Sequence, residues 1–288
     1  MVLTTAACGN VMSRIIPVLI QNGIQVKALD LNPAVETLKE IGVTETYIGD
    51  AHDSDTLKKA MEGCSQVLYQ PTLAEETEAQ MAFQCIDAAV EMGIEQFVML
   101  SVLHPGMSTL LQHTQKLKAE EYLIYKGLSD GLNYTILEPT HYYHNFPVPI
   151  VVEGNCYKVF YDPDTKLSNV DAEDVGAVAA KVLTEPGHQN ATYELVGDEF
   201  VSARELVDMF NQYTGKNVSI IYETDPEETM KMFSLTDWEG YAADSFRHLA
   251  DTYTKYGLAG NSHVLTWLLG RKPHTFKDFV EREYAKIK

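Results

Sequence analysis

The sequence predicts an α/β protein: a doubly wound parallel sheet followed by a smaller C-terminal lobe. Through the first half, short apolar runs alternate with longer amphipathic ones, the pattern of strands joined by crossover helices. Glycine, proline and aspartate punctuate these runs where strands and helices must stop. Beyond Pro147 the texture changes, and Pro, Asn, Asp and Tyr become frequent. At 288 residues the chain is near the size at which one hydrophobic core stops growing, which favours two lobes.

Residues 2–5 read as the first strand, 11–22 as a helix ended by Gly23, and 24–29 as a second strand closed by Asp30. Helix is expected over 32–41, a short strand over 45–48, helix over 54–62 before Gly63, and strand over 66–69 stopped by Pro71. A long helix over 75–92 ends at Gly93. The run 96–101 is the next strand, with a loop through His104, Pro105 and Gly106 at its carboxyl end, the edge where open sheets bind ligands. Helical spacing over 110–126 precedes a buried strand at 133–137. In the second half, helices at 174–184, 203–213 and 226–256 surround short strands such as 193–196 and 218–222. The expected division is residues 1–146, with segments around 170–200 returning to them, and 147–288 as the substrate-side lobe.

Composition narrows the function. Lys plus Arg number 22 against 41 Asp plus Glu, a net charge of −19 that repels phosphate backbones and anionic lipid, so no nucleic-acid or membrane partner is expected. With 45% hydrophobic and 22% charged residues the chain is ordinary globular material. No apolar run approaches the ~20 residues that cross a bilayer, and Val2 and Leu3 already open a strand, so neither leader nor span is expected. Cys8, Cys64, Cys85 and Cys156 lie far apart without metal-ligand spacing, which points to a reduced, cytoplasmic, metal-free protein.

The stretch Thr4-Thr-Ala-Ala-Cys-Gly-Asn-Val-Met12 stands where a dinucleotide fold places its pyrophosphate turn. Together with Gly49-Asp50, Ala88-Ala-Val-Glu-Met-Gly93, Lys116-Leu-Lys-Ala-Glu120, Tyr134-Thr-Ile-Leu-Glu-Pro139, Asn145-Phe146, Val170-Asp-Ala-Glu-Asp174-Val-Gly176 and Leu268-Leu-Gly-Arg-Lys-Pro273, it resembles the NmrA-like group of atypical short-chain dehydrogenases/reductases over nearly the whole chain. The resemblance implies a Rossmann-like fold and an NAD(P) site built on Ala6, Gly9, Asn10, Met12 and Asp30. Aligned with the family's V-T-G-A-T-G-x-x-G opening, the three glycines fall on Ala6, Gly9 and Met12, so only the middle one survives. Alanine at the first place requires a negative φ, and methionine at the third adds a long side chain. The family's arginine, which pairs with a 2′-phosphate, falls on Leu31; Asp30 before it repels that phosphate and can accept from a ribose hydroxyl. The cofactor expectation is therefore none or weakly bound NAD(P), against the alternative that Met12 points away and the dinucleotide still binds.

For chemistry, Tyr122-Leu-Ile-Tyr-Lys126 matches the Tyr-x-x-x-Lys letters of ordinary short-chain reductases, but it lies at a helix end before Gly127. Lys116 occupies the position of the family's pocket lysine, with Gln112 rather than tyrosine four residues earlier, so the tyrosine match is read as chance. His104, His113, His141 and His144 fall on segments that the family places around its substrate. Histidine titrates near neutrality, and Lys116, Ser101 and Tyr142 or Tyr143 are candidates to hold an enolate or phenolate oxygen. His113 and Lys116 are three apart and share a helix face. The plainer alternative has these histidines capping loops or lying on the surface. Trp238, Tyr241 and Phe246 are candidates to cover a flat substrate, or core residues at helical spacing.

Three readings stay open. The leading one is a small-molecule enzyme doing acid–base chemistry (isomerisation, dehydration or ring-opening) on an aromatic or polyketide-like carbonyl compound, with weakened or lost dinucleotide dependence. The second is an NAD(P)H-dependent oxidoreductase using Lys116. The third is a non-catalytic redox sensor.

Overall fold

The computed structural model describes residues 1–72, 76–232 and 239–287. In chain order these form β1 (Val2–Thr4), α1 (Met12–Gln21), β2 (Val26–Asp30), a 3-10 helix (Pro33–Ile41), β3 (Glu45–Ile48), α2 (Ser54–Met61), β4 (Gln66–Tyr69), α3 (Glu78–Glu91), β5 (Gln96–Leu100), α4 (Leu111–Asp130) and β6 (Asn133–Pro139). Then come β7 (His141–Tyr142), a 3-10 turn (Tyr143–Asn145), α5 (Val148–Gly154), β8 (Cys156–Val159), β9 (Lys166–Val170), α6 (Ala172–Thr184), β10 (Ala191–Leu195), β11 (Phe200–Ser202), α7 (Ala203–Thr214), β12 (Ser219–Tyr222), α8 (Pro226–Met232), α9 (Tyr241–Tyr256), α10 (His263–Leu269) and α11 (Phe276–Ala285).

Seven strands form one sheet in the order β10-β6-β5-β4-β1-β2-β3, the doubly wound α/β architecture expected from the alternating pattern. The pairs β1/β2, β1/β4, β2/β3, β4/β5 and β5/β6 are parallel. Asn190 N–H bonds to the Tyr134 carbonyl and Thr140 N–H to that of Leu195, so β10 runs the same way beside β6. The order reverses between β1 and β4, the switch point outside whose carboxyl ends sheets of this kind bind their ligands.

Central strands are apolar on both faces because helices cover both: Leu3, Val67, Phe97, Met99 and Ile136 join Leu57 of α2, Cys85 and Ile86 of α3, and Ala119 and Leu123 of α4 in one buried cluster. On α6, Gly176 meets α1 so closely that a Cβ there would stand 3.1 Å from Val18 Cβ. Glycine permits that approach.

Two expected helices differ from observation. Residues 33–41 wind as a tight 3-10 helix behind the Asn32 cap, with Val35 buried on it, so little packing draws them into α geometry. The pattern over 226–256 resolves into α8 and α9, and residues 233–238, including Trp238, lie outside the described residues, as does the expected start at Glu75.

By compactness the chain divides into a first unit of residues 1–106, 112–139 and 172–194 and a second of 107–111, 140–171 and 195–288. The second holds the small sheets β11-β9-β7 and β12-β8 and an aromatic core in which Phe146 packs against Tyr157, Phe210 and Phe276. Among the described residues no helix is long and apolar enough to cross a membrane.

Candidate functional site

The turn after β1 is held by backbone. Thr5 N–H bonds to the Leu68 carbonyl and Ala7 N–H to that of Leu29, which splays the turn across β4 and β2. Gly9 N–H then bonds back to the Ala6 carbonyl at 2.9 Å, and a Cβ on Gly9 would stand 3.0 Å from that oxygen, so any side chain there would press on the turn. Ala6 has φ +48, not the negative value its identity suggested. A left-handed alanine costs about 1 kcal/mol or more, sustained here by the bonds on either side of it. Met12 is fully buried at the start of α1, so its side chain enters the core instead of filling the mouth of the turn.

Beyond Gly9, no side chain caps α1, and Asn10, Val11 and Met12 donate no backbone hydrogen bond among the described residues. An uncapped helix start with unpaired N–H groups and the positive end of the helix dipole suits a pyrophosphate. Asn10 also anchors Arg14, whose guanidinium donates to the Asn10 carbonyl at 2.8 Å. At the end of β2 the Asp30 carboxylate accepts from Cys8 N–H and from Asn32 N–H, each at 2.8 Å. Burial, with the charge of Asp30 beside it, raises the Cys8 thiol. Leu31, in the place expected of a phosphate-binding arginine, is exposed and brings no charge. The residues present fit a dinucleotide, and at Asp30 they fit a ribose hydroxyl better than a phosphate.

At the other end of the same edge, polar side chains take over. One buried face of α4 carries Gln112, His113, Gln115, Lys116 and Glu120. Lys116 Nζ lies 2.8 Å from Glu78 Oε1 of α3, both side chains nearly inaccessible. The lysine expected to act as an open pocket group is therefore one half of a buried ion pair that ties α4 to α3. His113 donates Nδ1–H to the His104 carbonyl at 3.2 Å, and burial, with Lys116 nearby, lowers it to about 4, so it is neutral at pH 7 instead of poised between acid and base. His104 has φ +57 and a half-exposed ring whose Nδ1 lies 3.9 Å from Glu194 Oε1.

Ser101, just past β5, donates to Glu120 Oε1. Burial pushes Glu120 up to about 7 against the lowering effect of that bond. Glu138, near the end of β6, is pushed up to about 8 by burial and by the neighbouring Glu120 and Glu194. The expected site contained none of Glu120, Glu138 and Glu194. The available signal was a charged residue breaking the end of an apolar strand run at Glu138.

The remaining expected residues belong to the second unit. His141 packs edge-on against Tyr161 and Tyr253, and desolvation lowers it to about 4. His144 is buried and stacks on Tyr142, whose hydroxyl burial raises. Tyr143 donates to Glu199 and packs on Phe276 and Phe279. Tyr143 is thus a core residue rather than an oxyanion holder. So is Phe246, and Tyr241 opens α9. Tyr122 and Lys126 both bond to Asp87 of α3 at 2.8 Å, a clasp between α3 and α4 that agrees with a chance match to the reductase letters. Among the described residues no group of His, Cys, Asp and Glu is arranged to hold a metal.

The chain is 26% identical over 291 residues to the NAD(P)H azoreductase of Xenophilus azovorans, covering 99% of this chain and 98% of that protein. It is 26% identical over 287 residues to quinone oxidoreductase 2 of Escherichia coli, covering 97% of each. Among solved structures, the Escherichia coli NADPH-dependent quinone oxidoreductase complexed with NADPH superimposes with a TM-score of 0.77 at 25% identity, over 99% of this chain and 100% of that one. The triphenylmethane reductase of Citrobacter sp. complexed with NADP(H) gives a TM-score of 0.78 at 22% identity over 98% and 99%, a likeness of fold. The profile of the NmrA-like family matches residues 1–284. With a match of that extent, on a sheet of this order and a turn built at this place, the chain belongs to the NmrA-like family.

Proposed function

We propose that this protein is an NAD(P)H-dependent oxidoreductase acting on a small quinone- or azo-like acceptor, and that it favours NADH over NADPH. The observation that carries the reading is the uncapped start of α1 beyond Gly9, with Met12 turned into the core, so the departures from the glycine pattern leave the pyrophosphate place open. Two relatives named as reductases of azo compounds and quinones match nearly end to end, which supports hydride transfer. The leading expectation of acid–base chemistry detached from a dinucleotide finds no support among these relatives, and two of its histidines are lowered to about 4.

When bound, NAD(P)H supplies the hydride. The N–H groups of Asn10, Val11 and Met12 hold the pyrophosphate, and Gly9 lets the backbone come close. Asp30 orders the turn through Cys8 and accepts from a ribose hydroxyl; its charge, with no cation at Leu31, disfavours a 2′-phosphate. Lys116 positions α4 through Glu78. A sensor of the NADP pool needs a phosphate anchor, so Asp30 and Leu31 speak against that alternative.

Calorimetric titration with NAD, NADH, NADP and NADPH tests the reading. NADH binding about tenfold or more tighter than NADPH is the expected result. Absence of binding by all four overturns the reductase assignment, and tighter NADPH overturns only the preference.

A further inference from the structure

Glu138 is 7% exposed, and among the described residues its carboxyl has no hydrogen-bond partner. The register of the sheet explains where it stands. Leu100 pairs with Leu137, so Ser101 and Glu138 follow side by side at the carboxyl edge. Met99 and Ile136, two residues earlier on the same strands, lie in the cluster that includes Ala119 and Leu123 of α4. Period-two alternation therefore turns Ser101 and Glu138 toward α4 as well, where Glu120 meets Ser101. On the other flank β10 brings Glu194, and the loop after β5 brings His104 to Glu194.

The charged groups around Glu138 are thus Glu120 and Glu194. The cation on the same face of α4, Lys116, is committed to Glu78. Ionising Glu138 would place an anion in a largely buried position beside two carboxyls, so the group stays a neutral acid. A neutral carboxyl carries one O–H donor, and here that donor has no acceptor among the described residues while standing at the carboxyl edge of the sheet.

We propose that Glu138 is the proton donor of the reaction: an acid kept neutral by its surroundings, whose O–H is offered to the oxygen or nitrogen that gains negative charge when a quinone- or azo-like acceptor is reduced. The proposal rests on the reductase reading. Hydride brings the acceptor two electrons and one hydrogen, and NAD(P)H leaves as NAD(P)+. The resulting oxyanion or nitrogen anion takes the proton of Glu138, an O–H bond of the acid breaking as an O–H or N–H bond forms on the product. The carboxylate is reprotonated from water by way of the half-exposed Glu194 and His104. Each cycle consumes one acceptor, one NAD(P)H and one proton.

The test compares wild type with Glu138→Gln and Glu138→Asp. In the protein without nucleotide, the infrared carbonyl absorption of protonated carboxylic acid is expected at pH 7 and falls in Glu138→Gln, with Glu120 supplying the remainder. With NADH and p-benzoquinone, Glu138→Gln lowers kcat by roughly 10²-fold with little change in KM, and the fall in rate at high pH disappears. Glu138→Asp recovers part of the rate. Because glutamine has the shape of the neutral acid and cannot ionise, its Tm is not lower than wild type, a result that separates lost chemistry from lost folding. No acid band at pH 7, a band that Glu138→Gln leaves unchanged, or a Glu138→Gln variant with wild-type kcat and pH profile overturns the proposal while leaving the reductase reading standing. Failure of the wild type to oxidise NADH or NADPH with either benzoquinone or an azo dye overturns both.

Discussion

The two ends of one sheet edge are built from different materials. At the β1–β2 end the polar work is done by backbone: N–H groups at the start of α1, a turn closed from Gly9 to Ala6, and an aspartate whose oxygens are already satisfied by Cys8 and Asn32. At the β5–β6–β10 end it is done by side chains drawn from separate segments, and two of the three carboxyls are buried. A satisfied carboxylate beside open N–H groups makes an anion site that can wait empty. Buried acids crowded by other carboxyls keep their protons, at a cost in stability. The first arrangement offers donors; the second is loaded with protons.

The largest expected effect lies at the loaded end. Lys116→Met strands Glu78 in the interior and should cost about 3–5 kcal/mol in urea unfolding, whereas Lys116→Met with Glu78→Leu recovers most of it. A small loss in the single variant would mean that the pair does not hold α4. Next comes pH. Glu120 and Glu138 have folded values of about 7 and about 8, above the ordinary 4.5, so the folded state keeps protons that the unfolded chain releases. Their stabilising share is complete below about pH 4.5 and is lost as pH rises through 7 to 8. The stability difference between Glu138→Gln and wild type should therefore grow in favour of the variant by on the order of 2–4 kcal/mol from pH 5 to 9, followed by urea midpoints.

At the binding end the effects are smaller. Asp30→Asn with Leu31→Arg removes the repulsion and supplies a phosphate partner, and should move the NADPH-to-NADH affinity ratio by about 10- to 100-fold in calorimetry. Ala6→Gly relieves the left-handed alanine but loosens the unfolded chain. The net gain should be at most about 1 kcal/mol by thermal unfolding.

The same contrast governs what the sequence makes legible. Strands β1, β2, β4 and β5 are continuous apolar runs with glycine, proline or aspartate at their ends, and they are found within a residue or two. The turn is equally visible, because backbone sites need a local motif. Its conformation is not: the φ of Ala6 is imposed by bonds to β2 and β4, which lie far along the chain. The proton-bearing end has no local signature. Glu120, Glu138 and Glu194 come from α4, β6 and β10 and meet through strand order, so the sequence points to histidines instead, which the structure divides between the two units. Lys116 and His113 do share the buried face of α4, but burial and Glu78 decide their state.

One packing detail bears on how the protein is made. The close approach of Gly176 to Ile15 and Val18 joins the first helix to one that leaves the ribosome only after the intervening chain has been synthesised. Until α6 and β10 emerge, the apolar side of α1 and the outer edge of β6 have no cover from them, so the nascent first unit is an open, adhesive intermediate with a long loop still to close. A nascent chain stopped after β6 should engage chaperones, and release from them should coincide with the arrival of residues 172–194.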